Sequence, residues 1–468
     1  MKKACSKTMQ KYITLLMIFS VFVNMTSAQM SKSAKVTANV KNEKCDDERI
    51  KPEPNDWFAG DIHGHRSCDG SSPIPNSELP VMMKVNDLAV ITVLADMGNN
   101  YSTDRVGDLQ KVNGNDSPLS APDRIIHYGA EWHWDANQWT AQHQALGGHL
   151  VLLGLTEAHK IWDEMSYNIL EWAKKQNAVC GFAHMEYLND SIQNRLNCCI
   201  PIDYPVEVAL GNIDFVSEDV YSINSSNNGN YNSEAVLNAY YKLLNCGFRL
   251  SLAAGTDYPC NNSEPYGSLL TYVEIPDKIL TYQKWIEGIV KGRTVVSRNA
   301  HNEFLDLKVN KTEVPGADIR IKDKGEIVIQ ASWSVTKETL GQVELVSNGR
   351  VIAKKTGIAK PGKPLIISAK QLYSKSSWIC ARRMDSTGSI YVHVLHTSPV
   401  YIRVNDQAIR ASRKDAQFFV AWIDNILKNI EPGGLWNRYF PNELEEAKEH
   451  YQKARDIYIK ISSECQNN

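Results

Sequence analysis

Between residues 57 and 302 the chain repeats one pattern, in which a short apolar run alternates with a polar or helical stretch. The amphipathic stretches, which suit surface helices, occupy 161–175, 233–245 and 282–291. The apolar runs are 57–63, 88–94, 124–131, 149–155, 178–184, 215–220, 250–257 and 271–275. Strands that alternate with helices are typical of an α/β fold with a mainly parallel sheet, and this class is therefore predicted here.

The pattern changes after residue 302. From 303 to 406 the apolar residues alternate in period two and Asn348-Gly349 is a strong hairpin-turn signal, so a small β-sandwich domain is predicted. The remainder, 407–468, is predicted to be a C-terminal helical segment that Pro432-Gly433-Gly434 divides into two helices. Apolar residues recur there at helical spacing: Phe418, Trp422, Ile426 and Ile430, then Ala447, Tyr451 and Ala454.

Residues 1–28 have the order of a secretory signal peptide. Lysines precede an apolar run at 12–23, and small residues that end at Ala28 follow it. An uncleaved anchor is the alternative, although the run is short for a membrane span of about 20 residues. The mature chain is expected to be secreted or periplasmic, with no membrane span after cleavage, and the polar residues 29–55 are predicted to be a linker.

The charge balance argues against nucleic acid as a partner. The chain has 51 basic and 53 acidic residues and a formal net charge of −2. A nucleic-acid binder usually carries a basic patch or stripe, and no long block of one charge occurs here.

The cysteines exclude two common kinds of site. Of the 10 cysteines, Cys5 lies in the leader, and the odd number that remains cannot all pair within the chain. No CxxC pair occurs, which disfavours a zinc ribbon or a thioredoxin-type redox site. Most of the cysteines are predicted to be small core residues, with one or two disulfides as the alternative for some.

Histidines cluster in one part of the chain, and eight of the 12 lie between His63 and His184. His63 and His65 stand at the end of an apolar run. Because residues i and i+2 of a strand point to the same face, their two imidazoles can chelate one cation. A pair of solvated turn histidines is the alternative.

Other ligand types stand at the ends of other predicted strands. Glu131, His184 and Asp257 each close an apolar run, and His149 opens one. In a βα barrel the C-terminal strand ends meet at one mouth, where catalytic residues gather. One carboxylate among several imidazoles suits a pair of divalent cations, because the carboxylate can bridge them.

These motifs resemble those of a known family. Residues 57–65, Trp-Phe-Ala-Gly-Asp-Ile-His-Gly-His, resemble the opening motif of the polymerase-and-histidinol-phosphatase (PHP) superfamily. The later motifs resemble its CehA/McbA branch of metallohydrolases, and they lie at 95–97, 148–154, 181–184, 255–257 and 289–297. The close resemblance covers roughly residues 56–310.

The resemblance implies a fold and a reaction. The fold would be a distorted PHP-type βα barrel over 56–302, followed by the β-sandwich and the helical segment. The reaction would be metal-dependent hydrolysis of an ester-type bond (phosphoester, carboxylic ester or carbamate) by a hydroxide that bridges two ions. The implied ligands are His63, His65 and Asp257 for one ion, His149 and His184 for a second, and Glu131 as the bridge.

Two departures from the family pattern limit the number of metals. Met97 stands where the superfamily usually has a histidine, and Tyr258 and Pro259 replace a histidine after Asp257. Both missing histidines would help to bind a third ion. The sequence therefore predicts two divalent ions per chain, and zinc, manganese and iron are all compatible with imidazole and carboxylate ligands.

Three further residues are candidates for catalytic roles. Asp96 is a candidate ligand or general base, with a carboxylate satisfied by backbone amides as the alternative. Arg66 is a candidate for stabilising charge on an intermediate, and a surface salt bridge is its alternative. His133 lies with His143 in an aromatic loop that would line a substrate pocket or simply pack. Asp61 is interpreted as a partner that orients the ligands or as a structural cap, with a ligand role as the alternative.

The leading function is hydrolysis of a small-molecule or glycan-linked ester. An amidohydrolase barrel also opens with a His-x-His pair, but Glu131 and a single late histidine, His184, fit the PHP pattern better. The alternative from another class is a secreted metal-containing protein that binds a glycan or a protein without turnover. The sequence does not identify the substrate.

Overall fold

The structure is a computed structural model, and it describes most of the chain after the predicted linker. The described residues are 51–67, 73–98, 106–132, 148–159, 165–188, 191–192, 200–219, 233–260, 265–387, 390–440 and 443–465. Residues 50–468 form one unit by their internal contacts. The predicted signal peptide, 1–28, lies outside the described residues. Among the described helices, none is both long and apolar enough to cross a membrane.

The described part of the chain contains eighteen strands. The first nine are β1 (Trp57–Gly64), β2 (Val90–Asp96), β3 (Ile125–Trp132), β4 (Leu150–Leu153), β5 (Val179–Phe182), β6 (Phe215–Glu218), β7 (Ser251–Ala254), β8 (Leu270–Glu274) and β9 (Thr294–Ser297). The others are β10 (Glu303–Val309), β11 (Asp318–Ile321), β12 (Gly325–Val335), β13 (Thr339–Ser347), β14 (Arg350–Ala359), β15 (Leu365–Tyr373), β16 (Ser377–Thr387), β17 (Ile390–Thr397) and β18 (Val400–Val404).

Seven α-helices and several short 3-10 helices accompany the strands. The α-helices are α1 (Leu79–Val85), α2 (Ser166–Lys175), α3 (Tyr204–Ala209), α4 (Ser233–Cys246), α5 (Tyr282–Val290), α6 (Arg413–Ile430) and α7 (Leu444–Glu464). Two of these helices begin at a side chain that caps the first turn. The Ser412 hydroxyl accepts a hydrogen bond from the Asp415 amide at 3.2 Å, and Thr281 caps α5 through the Lys284 amide in the same way.

The strands form one large mixed sheet and one small sheet. The large sheet has 15 strands in the order β11-β18-β16-β17-β9-β8-β1-β2-β3-β4-β5-β6-β7, with β13 and β14 paired beside β16. The small sheet has the order β10-β12-β15. Some paired strands are far apart in sequence. Strand β9 pairs with β17, so the large sheet contains residues from both before and after position 302.

The predicted fold class was wrong. The expected distorted βα barrel, with a separate β-sandwich after it, is replaced by a strand-rich architecture in which few helices accompany a large mixed sheet. Strand β8 lies antiparallel to β1 and to β9, and β9 continues the sheet into β17. Strand β17 supplies the backbone hydrogen bonds that β9 would otherwise lack on that side. The strands of 303–406 are therefore divided between the two sheets.

One group of strands positions the ligand-type residues. Strands β1, β2 and β3 are mutually parallel, as are β5, β6 and β7. Strand β4 lies antiparallel to both β3 and β5, so these two triplets run in the same direction. The C-terminal ends of six strands and the N-terminal end of β4 consequently lie at one edge of the sheet.

The C-terminal helices pack on the middle of the chain. The Trp422 indole N–H in α6 donates to the Ile202 carbonyl at 2.9 Å, and its ring lies 5.4 Å from the Tyr204 ring. In α7 the Tyr458 hydroxyl donates to the Pro205 carbonyl at 2.8 Å. Both helices thus cover α3 with aromatic side chains, and large buried aromatic groups contribute strongly to a core.

Replacing Trp422 with alanine should destabilise the protein. The side chain is 2% exposed, so the change opens a large cavity and leaves the Ile202 carbonyl without its donor. We expect a loss of about 3–5 kcal/mol in the free energy of unfolding, measured by urea denaturation. The control, Leu435→Ala, removes a side chain that is 65% exposed and should cost less than about 0.5 kcal/mol. Equal stability of the two variants would contradict this packing.

Candidate metal centre

The six sequence-predicted ligands meet at the shared strand-end edge. His63 is the penultimate residue of β1, and Glu131 lies in β3. His149 stands immediately before the reversed strand β4. His184 and Asp257 follow β5 and β7, and both have positive φ angles, 58° and 50°. Non-glycine residues with positive φ are uncommon and often occur at functional sites, where the surrounding structure holds them.

Four of these side chains form a first group. His63, His65, Glu131 and Asp257 each offer one ligand atom, and the four atoms lie within 4.8 Å of one another. His65 Nε2 lies 3.0 Å from Glu131 Oε2 and 3.4 Å from Asp257 Oδ1. His63 Nε2 lies 3.4 Å from the same Asp257 oxygen. All four residues are buried.

The proton positions in this group follow from its neighbours. His65 Nδ1 lies 3.1 Å from the Leu94 carbonyl, which can only accept, so Nδ1 donates. His63 Nδ1 likewise donates to Asp219 Oδ1 at 3.0 Å. In neutral rings both Nε2 atoms then carry lone pairs, and these atoms face each other at 3.2 Å. Such an arrangement is repulsive unless a proton or a metal ion lies between the nitrogens.

A second group shares Glu131 with the first. Glu131, His149 and His184 each offer one ligand atom, again within 4.8 Å of one another. His149 Nδ1 lies 3.0 Å from Glu131 Oε1 and 3.1 Å from His184 Nε2. Glu131 therefore faces both groups, with Oε2 toward His65 and Oε1 toward His149. This position suits a carboxylate that bridges two cations.

The electrostatics of the buried cluster favour positive charge. Burial alone would lower the pKa of His63, but the carboxylates of Asp257, Glu131 and Asp219 raise it well above its ordinary value. The same balance of burial against carboxylates raises the pKa of His65 and His184. Burial would raise the pKa of Glu131, yet His63 and the other imidazoles hold it well below its usual range.

The donor set therefore fits divalent cations. Imidazole nitrogens and carboxylate oxygens are the ligands that zinc, manganese and iron share. Two groups of three or four buried donors, joined by one carboxylate, can hold metal ions. The facing Nε2 atoms of His63 and His65 are the observation that supports this fit, because a bound cation would turn their repulsion into attraction.

Asp61 fixes the first group in place. Its Oδ1 accepts from the Thr256 amide at 3.0 Å, and its Oδ2 accepts from the Thr256 hydroxyl at 2.7 Å and the Gly267 amide at 3.1 Å. Burial raises the pKa of Asp61 to about 6, and its hydrogen bonds with Thr256 oppose that rise. The carboxylate thus joins the strand that carries His63 to the loop that carries Asp257.

Gly255 allows the same two segments to approach. A Cβ atom at this position would lie 2.4 Å from the His63 amide nitrogen and 2.5 Å from the His63 Cβ, which real Cβ atoms essentially never do. The Asp257 amide donates to the His63 carbonyl at 2.7 Å across this contact. The glycine in the Gly-Thr-Asp motif therefore serves close packing beneath the ligands.

Asp219 is a functional residue that the sequence reasoning missed. Its Oδ1 accepts from His63 Nδ1, and its Oδ2 accepts from the His184 amide at 2.7 Å. A carboxylate that orients a ligating imidazole is a common feature of metal sites. The signal was available, since Asp219 lies near the end of the apolar run 215–220, and the other candidates also stand at the ends of such runs.

The three candidate catalytic residues have different placements. Asp96 ends β2 next to the first group, and its Oδ1 lies 3.5 Å from His65 Nδ1. Arg66 forms its hydrogen bonds outside the ligand cluster: its Nε donates to Asp108 at 3.0 Å, and its Nη1 donates to the Ile74 carbonyl. This salt bridge is buried, whereas the alternative interpretation of Arg66 placed it at the surface. His133 lies outside the described residues.

Comparisons with known proteins give only remote likenesses. No protein-family model and no curated protein matches the chain. A CARDB domain from Pyrococcus furiosus, solved in solution, is 11% identical with a TM-score of 0.17, and the match covers 23% of this chain and 98% of that domain. The crystal structure of that CARDB domain with di-metal ions is 12% identical, covers 22% and 89%, and has the same TM-score. An engineered protein is 10% identical, with 41% and 49% covered and a TM-score of 0.14.

Proposed function

We propose that the chain is a metal-dependent hydrolase that binds two divalent ions in the candidate metal centre and cleaves an ester-type bond. The observation that supports this proposal is the buried donor set, in which Glu131 faces two imidazole groups at once. The sequence motifs that resemble the CehA/McbA branch support the same reaction. The lysine-rich leader and its apolar run support export of the enzyme.

The number of protein donors favours a catalytic site over a purely structural one. Structural zinc sites are closed by four protein ligands, whereas catalytic sites keep a position open for water or substrate. Among the described residues, the second group supplies three donors: Glu131, His149 and His184. The Asp96 and His149 side chains are 19% and 10% exposed, so the cluster reaches solvent on this side. A substrate would enter there.

Each residue has a task in the proposed reaction. Divalent ions in such a site act as Lewis acids that activate water and the scissile group. His63, His65 and Asp257 would hold one ion, and His149 and His184 the other, with Glu131 between them. Asp219 holds the His63 ring in its tautomer, and Asp96 is placed to receive a proton near His65. The substrate would be a small-molecule or glycan-linked ester.

Two ions rather than three are proposed for the candidate metal centre. Met97 is fully buried and belongs to the hydrophobic core, so its thioether packs against apolar side chains. Pro259 has no side-chain donor at all. Asp96 alone supplies too few donors for a third tightly held ion.

Changing Glu131 to glutamine should remove metal. The amide keeps the size of the side chain but loses the charge that both groups share, so at least one ion should be lost. Elemental analysis of dialysed protein measures the content. The control is Glu157→Gln, which neutralises an exposed carboxylate after β4 and should leave the content unchanged. Equal metal content in both variants would contradict the bridging role.

Metal binding should release protons and strengthen as pH rises. The neighbouring carboxylates raise the pKa of His63, His65 and His184 in the metal-free protein, so protons held by this cluster compete with an incoming cation and must be released when it binds. A raised pKa means that proton binding stabilises the folded, metal-free protein. This stabilisation is fully present below pH 6.5, and it is lost as pH rises through the pKa values of the folded state.

Calorimetric titration with Zn²⁺ in buffers of different ionisation enthalpy measures the release. We expect the observed enthalpy to change from buffer to buffer, in the direction of proton release. Thermal unfolding of the metal-free protein at pH 6 and pH 9 is the second measurement, with lower stability expected at pH 9. A binding enthalpy that does not depend on the buffer would show that the imidazoles are neutral before metal binds.

The enzymatic proposal is tested by a screen of the metal-loaded protein against phosphomonoesters, phosphodiesters, aryl esters and carbamates. His63→Ala should reduce any activity by about 100-fold or more, because loss of a ligand exceeds the loss from a supporting residue. His159→Ala, at an exposed histidine outside the cluster, is the matched control. Circular dichroism checks the fold. Bound metal without turnover of any ester would favour a binding protein instead.

A further inference from the structure

A separate group of ligand-type side chains lies near the other end of β1. One oxygen of Glu53, one of Asp87 and one imidazole nitrogen of His301 lie within 4.8 Å of one another. Glu53 precedes β1, Asp87 follows α1, and His301 lies in the 3-10 helix after β9. Along β1, Trp57 and His63 are separated by about 20 Å at the usual rise of a strand. The group is therefore distinct from the candidate metal centre.

Two atoms of this group are buried without hydrogen-bond partners. Glu53 is 8% exposed and His301 is 3% exposed. Within the part of the chain that the structure describes, Glu53 Oε2 and His301 Nε2 have no partner. His301 Nδ1 lies 3.5 Å from Glu53 Oε1 and 3.4 Å from the Tyr272 hydroxyl. Buried polar groups are nearly always satisfied, so two orphan atoms in one cluster indicate a ligand such as an ion.

The local charges favour a cation as that ligand. Lys51 Nζ lies 3.0 Å from Asp87 Oδ2, so the cluster already attracts positive charge, but the lysine side chain is 51% exposed and can move into solvent. Arg124 lies 4.0 Å from Asp87 and is engaged by Asp123 at 2.5 Å. In the described structure the Glu53 carboxylate forms no ion pair with a lysine or arginine, and its nearest ligand-type neighbour is His301 Nδ1 at 3.5 Å. A water molecule would satisfy the orphan atoms but would not balance this buried charge.

We propose that Glu53, Asp87 and His301 form a binding site for a single divalent cation. One imidazole nitrogen and two carboxylate oxygens are donors that Zn²⁺ and Mn²⁺ accept, and water would complete the coordination. The ion would join the segment before β1 to the turn after α1 and to the 3-10 helix after β9. It would thereby fix the start of the strand whose other end carries His63.

Equilibrium dialysis of the full-length protein against Zn²⁺, with elemental analysis, tests the site. Glu53→Gln and His301→Gln should each bind one ion fewer than the unchanged protein. Asp123→Asn is the matched control, because this carboxylate lies in the same recess but outside the ligand group, and it should bind as many ions as the unchanged protein.

Lys51→Ala provides an independent test that leaves the ligands and the packing intact. It removes the ammonium group that competes for Asp87, so Zn²⁺ should bind this site about two- to fivefold more tightly. If Glu53→Gln does not fold by circular dichroism, this variant still decides the matter. Unchanged affinity in Lys51→Ala would overturn the proposal, as would an unchanged ion count in folded Glu53→Gln.

The two sites can be separated in one experiment. In the Glu131→Gln background, adding Glu53→Gln should remove one further ion. If Glu53→Gln lowers the ion count and Glu131→Gln does not, the site at Glu53, Asp87 and His301 is supported and the candidate metal centre is contradicted. The reverse result contradicts the site at Glu53, Asp87 and His301 and leaves the proposed function intact.

Discussion

Two imidazole nitrogens that face each other at 3.2 Å set the constraint on which the candidate site depends. His63 and His65 both use Nδ1 to donate, to Asp219 and to the Leu94 carbonyl, so their Nε2 atoms are committed to the cluster interior. Without positive charge between them, the two lone pairs and the carboxylates of Glu131 and Asp257 would repel one another in a buried setting, where such repulsion is poorly screened. A proton or a metal ion between these groups is therefore needed to offset their repulsion.

The reversed strand β4 brings the second half of the cluster to the same place. A run of parallel strands presents only C-terminal ends at one edge, whereas β4 presents its N-terminal end there. His149, which precedes β4, consequently lies beside Glu131 and within 3.1 Å of His184. The reversed direction of β4 thus explains why His149 opens an apolar run while the other candidate ligands close theirs.

The ligands were accessible to sequence reasoning, and the architecture was not. Short apolar runs that end in His, Glu or Asp mark strand ends, and the resemblance to the PHP motifs grouped His63, Glu131 and Asp257 in one predicted site. The direction of β4 and the pairing of β9 with β17 depend on hydrogen bonds between distant segments, which periodicity does not encode. The same limit applies to Glu53 and His301, which meet only through the tertiary structure.

Adjacent residues at the end of β6 show why the later strands are not a separable module. Asp219 faces His63, whereas Glu218 accepts from Arg298 at 3.0 Å and from His393 in β17 at 2.6 Å. Burial would raise the pKa of Glu218, but Arg298 and His393 lower it to about 2, so this carboxylate is ionised and paired in the interior. Removing either partner would leave a buried charge uncompensated, which is strongly unfavourable. The orientation of Asp219, and with it that of the His63 ring, therefore depends on a strand that the sequence pattern had assigned to another domain.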